Sequence, residues 1–369
     1  MKIPINIPDI DDEEIREVRN VLLEKSLTSS SFDGGTRVQQ FEKLLSKFVK
    51  SKFVVAVNSG TAALQASLYA LDIKTGDEVL IPSFTFVATA NSVKSVGGKP
   101  VFVDILKDNY TMDPDDLRKK ITKRTKAVIP VHLYGHIAYM KEILEIARKN
   151  NLKTIEDASQ SLGSKLNGKH SGTFSQLGCF SLYAAKVMTS GEGGAIITDD
   201  KKLFEKLKQI RNHGLSKNHL ITTFGLNLRL PEINAAIAKV QMKKLPLLLG
   251  QRKKNAQILT ELLKNYDIIL PKQRKGETLN WYLYTIALKN RNNIMKKLNS
   301  SGIGATIYYS PPIHKTPYYK TKISLPNTEW AACHVLSLPI HPEVNMKEME
   351  RMKKTFRIIR AMLMTRLNQ

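Results

Sequence analysis

Short apolar runs punctuate the first half of the chain: FVVAV (53–57), VLIP (79–82), VFVD (101–104), AVIPVHLY (127–134) and TIED (154–157). Their starts lie about 22 to 27 residues apart, room for a strand followed by a crossover helix. The runs are continuous rather than alternating, as in strands covered on both faces. The spacing therefore predicts a mainly parallel sheet in an α/β domain. After Leu248 the pattern changes. A helical segment, RKKNAQILTELLKNY, leads to a strand-like WYLYTIAL, then to a helix over NIMKKLNSSG and a strand-like ATIYY. Helical patterns close the chain around TEWAACHVLS and MKEMERMKKTFRIIRAM. The expectation is a large domain over 1–245 and a smaller C-terminal α+β domain over 246–369, with the N-terminal segment free to pack on the smaller one.

Composition narrows the class. With 42% hydrophobic and 24% charged residues in 369, the chain reads as an ordinary soluble globular protein. No apolar run approaches a membrane span, and MKIPINIPDIDDEE lacks the apolar segment of a secretory signal. Cys179 and Cys333 are the only cysteines, which gives no disulfide framework and no Cys-rich zinc site. The expected compartment is the cytoplasm. Lys and Arg outnumber Asp and Glu by 57 to 33, a net +24. These cations are spread over RKKITKRTK, QRKKN, KQRKG and KNRNNIMKK, without interleaved aromatics to stack bases. They read as solvated faces rather than a nucleic-acid surface, and their field suits a phosphate-bearing substrate.

Candidate chemistry begins at Lys186, the only Lys, Arg, Asp or Glu between Ser171 and Gly191. Its ammonium either snorkels to water from apolar surroundings or is held desolvated as a nucleophile. In VAVNSGTAALQASLYAL a strand, a polar loop and a helix follow one another. Asn58, Ser59, Gly60 and Thr61 there would offer free N–H groups to an anion or simply cap the helix. Glu156 and Asp157 end a predicted strand, where ligand sites of parallel sheets gather, and Gln160 follows. GSKLNGKHS falls short of a P-loop because His170 stands where Mg²⁺ binding requires Ser or Thr, and the GEGG of 191–194 lacks dinucleotide spacing. An anion cradle, a strand-end carboxylate, a poorly solvated lysine and the aromatic PSFTFVATAN together form the set that pyridoxal phosphate demands.

The same residues carry a family likeness. DGGTRVQQFE, NSGTAAL, IPSFTFVATANSV, VHLYGH, IEDASQSLGS, GCFSLYAAKVMTSGEGGAIITDD, FGLNLRLPEINAA, YYSPPIHKTPYY and LSLPIHP stand in order over nearly the whole chain. With them the chain resembles the DegT/DnrJ/StrS nucleotide-sugar aminotransferases, which use pyridoxal 5'-phosphate on the fold-type I architecture. The resemblance implies a seven-stranded, mainly parallel sheet. It implies that Lys186 holds the cofactor and moves protons, and that Asp157 meets the ring nitrogen. Gln160 would lie near the phenolic oxygen, Ser59, Gly60, Thr61 and Ser181 at the phosphate, and Phe86 on the ring. Asn227 would reach the phosphate of a neighbouring subunit, so a homodimer is implied. His314, Tyr309 and Arg229 match substrate positions. The implied reaction moves an amino group from glutamate to a keto-sugar nucleotide, of the 4-keto-6-deoxyhexose or 3-keto-hexose type, for glycan or surface-polysaccharide biosynthesis.

The chain departs from the family pattern at several positions. Val187 and Met188 follow the lysine where Asn is frequent, Leu182 replaces Phe, and Leu226 and Leu228 replace Tyr. A dehydratase branch of the family carries His in place of the lysine, and Lys186 argues against it. A desulfurase would need a mobile cysteine, whereas Cys179 and Cys333 lie in strand and helix patterns. A nucleic-acid-binding or regulatory protein would rest on the +24 charge alone.

Overall fold

Two amphipathic helices open the chain in the computed structural model, which describes residues 2–365. Helix α1 (Asp12–Leu23) starts from a capping box between Asp11 and Glu14. Helix α2 (Thr36–Val49) buries Val38, Phe41, Leu45 and Val49, one stripe at helical spacing. A βα alternation follows: β1 (Phe53–Val57), α3 (Gly60–Ala70), β2 (Glu78–Pro82), α4 (Ala88–Ser95), β3 (Lys99–Val103), α5 (Pro114–Lys119), β4 (Thr125–Val128), α6 (Met140–Lys149) and β5 (Lys153–Asp157). The short hairpin β6 (Lys165–Leu166) and β7 (Lys169–His170) leads to β8 (Leu177–Ser181), β9 (Gly194–Thr198) and α7 (Lys201–Arg211).

These strands build the expected seven-stranded, mainly parallel sheet, in the order β1-β9-β8-β5-β4-β2-β3. Only β9 runs against its neighbours β1 and β8. Continuous apolarity has the predicted cause. Val54 and Ala56 face a cluster with Phe41, Leu45, Phe180 and Leu245, while Val55 and Val57 face Leu64, Leu68, Cys179 and Ile196 on the other side. The carboxyl ends of β1, β2, β5 and β8 lie along one edge of the sheet, with the start of β9 beside them.

The chain then enters α8 (Glu232–Leu263), which packs on α1 and α2 and carries Pro246 inside it. Residue 246 therefore falls within a continuous helix. The far half of α8 belongs to another cluster, where Ala256, Leu259 and Leu263 meet Ile3, Tyr284, Leu298, Leu336 and Met352. That cluster is built from β11 (Tyr284–Ala287), α9 (Arg291–Ser300), β12 (Val335–Leu338) and α11 (Met346–Thr365), with β11 paired antiparallel to β12, whereas β10 (Glu277–Thr278) pairs with β6 and α10 (Pro326–His334) buries Ala331 and Ala332 in the cluster of Phe41 and Phe180.

Two local expectations need correction. ATIYY forms no strand, only an isolated bridge between Thr306 and Ser337. TEWAACHVLS is helix only to His334, because Val335–Leu338 pairs with β11 across a sequence distance that no local pattern reads. The rejected P-loop segment is the β6–β7 hairpin, turned by Asn167 and Gly168 at φ 50° and 80°, the Asn-Gly signature of a two-residue turn. Among the described residues no helix is long and apolar enough to cross a membrane.

Candidate active site

The sheet edge opens onto a cavity of about 360 Å³. It is lined by Ser59, Gly60, Thr61, Thr85, Phe86, Thr89, Asp157, Ser159, Gln160, Ser181, Tyr183, Lys186 and Glu192. A larger groove of about 530 Å³ lies between α6 and β5, lined by Arg148, Lys153 and Phe174, and brings together no titrating group with a reactive partner. We place the chemistry in the smaller cavity, where a carboxylate, an amine and a helix start converge.

Each wall has a local origin. Strand β1 ends at Val57, and Ser59 caps α3 by accepting from Ala62 N–H at 3.0 Å. That leaves the amides of Gly60 and Thr61 at the helix start without intrahelical acceptors. A Cβ on Gly60 would stand 2.8 Å from Ser181 Cβ, so only glycine allows the helix start to approach the end of β8 this closely. Asp157 ends β5 and is 5% exposed. Its Oδ2 accepts from Thr89 Oγ1 at 2.9 Å and its Oδ1 from Ser159 N–H at 3.2 Å. Gln160 is held at both ends of its amide. Its Oε1 accepts from Tyr134 N–H at 3.0 Å, and its Nε2 donates to the Tyr309 hydroxyl at 3.0 Å.

Lys186 sits in the turn after β8, where its N–H donates to the Tyr183 carbonyl at 2.9 Å. Flanking bonds from Leu182 N–H to Gly193 and from Ser190 N–H to Leu182 close the turn. The lysine stem is half-buried, and Nζ lies over the Tyr282 ring, 4.6 Å from its centroid. Burial lowers its pKa from 10.5 to about 8, against the opposing charges of Asp157 and Tyr183. The isolated lysine of the sequence is thus a desolvated amine over an aromatic face. Phe86 is 55% exposed at the cavity mouth, its ring 5.9 Å from that of Tyr309.

Four expected site residues do not line this cavity; of these, Tyr309 meets the lining residues Gln160 and Phe86. Asn227 is exposed, and its backbone lies beside the β1–α3 loop, where its carbonyl accepts from Asn58 Nδ2 at 3.4 Å. Arg229 donates to Asn212 Oδ1 at 2.8 Å. His314 is fully buried between Ser83 and Glu329. Thr89 and Tyr282 are contacts that sequence reasoning missed. Thr89 stands three residues after Phe86 in a segment already singled out, and that spacing could have found it. Tyr282 lies in an apolar strand pattern that carries no mark of the lysine above it.

Comparison with known proteins shows the family. The model of the DegT/DnrJ/EryC1/StrS aminotransferase family matches residues 8–357. The chain is 36% identical over 336 residues to a UDP-N-acetyl-3-dehydro-alpha-D-glucosamine 3-aminotransferase of Acidithiobacillus ferrooxidans, covering 90% of this chain and 91% of that one. It is 35% identical over 367 residues to the 3-oxo-glucose-6-phosphate:glutamate aminotransferase of Bacillus subtilis, covering 95% and 82%. A solved putative sugar aminotransferase of Streptococcus pneumoniae, in its PMP form, superposes with a TM-score of 0.94 at 26% identity over 100% of both chains. With its family model spanning nearly the whole length and its amine, carboxylate and helix start in one cavity, this chain belongs to the DegT/DnrJ/EryC1/StrS aminotransferase family and is a transaminase.

Proposed function

We propose that the chain transfers an amino group from glutamate to the carbonyl carbon of a keto-sugar nucleotide, giving 2-oxoglutarate and an amino sugar. The observation that carries this reading is the Lys186 amine, with its pKa brought down to about 8, in the same cavity as the carboxylate of Asp157. The residues present fit the pyridoxal phosphate of the family. Gly60 and Thr61 N–H groups with the Ser181 hydroxyl form a donor cradle for a phosphate, brought together by the missing Cβ of Gly60. Asp157, oriented by Thr89 and Ser159, would hold the ring nitrogen protonated, and Phe86 would cover a ring face. Gln160, fixed between Tyr134 and Tyr309, would meet the phenolic oxygen.

When bound, pyridoxal phosphate supplies the conjugated electron sink for breaking a Cα–H bond. The remaining work falls to side chains. Lys186 Nζ holds the cofactor at rest, takes the proton from the donor's α-carbon, and returns one at the sugar carbon that receives the nitrogen. An amine titrating near 8 serves both as base and as acid at neutral pH. Phe86, with the Tyr309 ring 5.9 Å away, would limit the access of water at the mouth.

A second copy of the chain would complete the site. Asn227 faces outward beside the α3 start, next to a hairpin that exposes Leu220 at 63%, Ile221 at 78% and Phe224 at 57%. Such a cluster on one loop favours a covered interface over open solvent. The test is a panel of 4-keto-6-deoxyhexose and 3-keto-hexose nucleotides, with the corresponding sugar phosphates, each incubated with glutamate and pyridoxal phosphate. Amino-sugar formation from nucleotides but not from free phosphates is expected. Borohydride reduction followed by peptide mapping is expected to label Lys186, and Lys186→Ala to lose the cofactor absorbance and turnover together. Turnover retained without Lys186 refutes the assignment.

A further inference from the structure

His314 matches a substrate position by resemblance, yet both its ring nitrogens are engaged by protein. Its Nδ1 lies 2.7 Å from Ser83 Oγ and its Nε2 3.2 Å from Glu329 Oε1, and the ring is fully buried. The His314 N–H also donates to Ser83 Oγ at 3.1 Å, so the serine proton is free to point to Nδ1. Nε2–H then donates to Glu329, and the imidazole is neutral with a fixed tautomer. Glu329 is held in turn by Lys315 Nζ at 3.1 Å and by Leu325 N–H at 3.2 Å.

Ser83 is clamped on every side. Its N–H donates to the Val103 carbonyl at 3.1 Å, its carbonyl accepts from Ile313 N–H at 3.1 Å, and its hydroxyl meets His314. It is the root of the loop between β2 and α4, which carries Thr85 and Phe86 into the cavity and delivers Thr89 to Asp157. Five residues before His314, Tyr309 accepts from Gln160 and stands beside Phe86. One segment, 309–314, thus meets the cavity-lining Gln160 and Phe86 at one end and anchors the loop that carries Phe86 at the other.

We infer that His314 is a positioning residue, which acts through Ser83 and Glu329 to set Phe86 and Tyr309 over the cavity and does not touch the substrate. This rests on the functional reading above, since the geometry it sets is that of the cofactor site. Removing the imidazole leaves the buried Ser83 hydroxyl and the Glu329 carboxylate short of a partner, and the loss should appear in the cofactor as much as in the sugar.

The experiment uses the full chain and four variants: His314→Ala, His314→Asn, Ser83→Ala and the double alanine. The readouts are the dissociation constant of pyridoxal phosphate by fluorescence quenching, the circular dichroism of the bound cofactor, and kcat and KM for glutamate and the keto-sugar nucleotide. His314→Ala and Ser83→Ala should each weaken cofactor binding about tenfold and alter the dichroism, and the double variant should be no worse than either alone. His314→Asn, whose side chain can still partner Ser83, should recover most of the affinity. Ser83→Ala removes only a hydroxyl, so it keeps the test open where His314→Ala fails to fold. A raised sugar KM in His314→Ala, with cofactor binding and dichroism unchanged and Ser83→Ala indistinguishable from the parent, would show a substrate contact and overturn the inference. A parent protein that binds no pyridoxal phosphate overturns the functional reading together with it.

Discussion

Burial brings Lys186 down from 10.5 to about 8, so between those values the native state holds fewer protons than the unfolded chain. Stability should therefore rise with pH across that window in the cofactor-free protein, and below pH 8 the buried ammonium carries its full penalty. The shift corresponds to about 3 kcal/mol, which solvent at the half-buried stem reduces to about 1–2 kcal/mol. Lys186→Met keeps the apolar stem and removes the charge. It should be more stable than the parent by that amount at pH 7, with the gap closing above pH 10. Chemical denaturation of both cofactor-free proteins at the two pH values measures it, and a gap independent of pH shows that Nζ is solvated. The lysine stood out in the sequence because its window holds no other charge, but that window left snorkelling and desolvation open, and a cofactor role entered only with the neighbouring motifs and the family likeness. Tyr282 beneath it was not legible, since a ring contact between distant segments leaves no periodic trace in either. The engaged state of His314 was hidden for the same reason: its partners Ser83 and Glu329 are brought to it only by the fold.

At the scale of elements, the start of β9 sets the position of the α3 cradle. A Cβ on Gly194 would stand 2.4 Å from the Ser59 carbonyl oxygen and 2.8 Å from Gly60 N, and both are backbone atoms that cannot swing away. The Gly194 backbone itself is open to any residue, so Gly194→Ala acts by contact and not by backbone strain. It should cost about 1–3 kcal/mol and shift the α3 start off the Ser181 hydroxyl, weakening pyridoxal phosphate by at least about tenfold. A thermal melt and a cofactor titration on the same sample check it. Retained affinity alongside lost stability shows that the cradle moves as a unit with β9. Strands of the sheet were readable because each is buried on both faces, and the apolar runs end within a few residues of the strands. The exception is AVIPVHLY, where only β4 (Thr125–Val128) is strand and the chain beyond Pro130 turns toward the cavity. Where partners are remote the reading failed. Val335–Leu338 continues a helical pattern yet pairs with β11, and α8 runs through the expected boundary because its two halves meet different clusters on one unbroken face.

For the whole molecule, the proposed reading makes Lys186 and Asn227 parts of one site drawn from two copies of the chain. Neither residue's own surroundings test that, because Asn227 lies outside the cavity of its own subunit. Symmetry does. In a two-fold dimer each subunit lends Asn227 to the partner's Lys186, so the two residues of a working site come from different chains. Lys186→Ala and Asn227→Ala homodimers should each be weak or dead. In a dimer of one variant of each kind, one site has lost both residues and the other has kept both. Mixed in equal amounts and reassembled at random, half of the dimers are of this kind and each carries one intact site of two. About a quarter of the parental activity should then return. Amination of the keto-sugar nucleotide, followed before and after mild unfolding and joint refolding of the two variants, measures this. Activity no greater than the mean of the two variants places Asn227 outside the site, whereas recovery toward a quarter requires that the chain works as a pair.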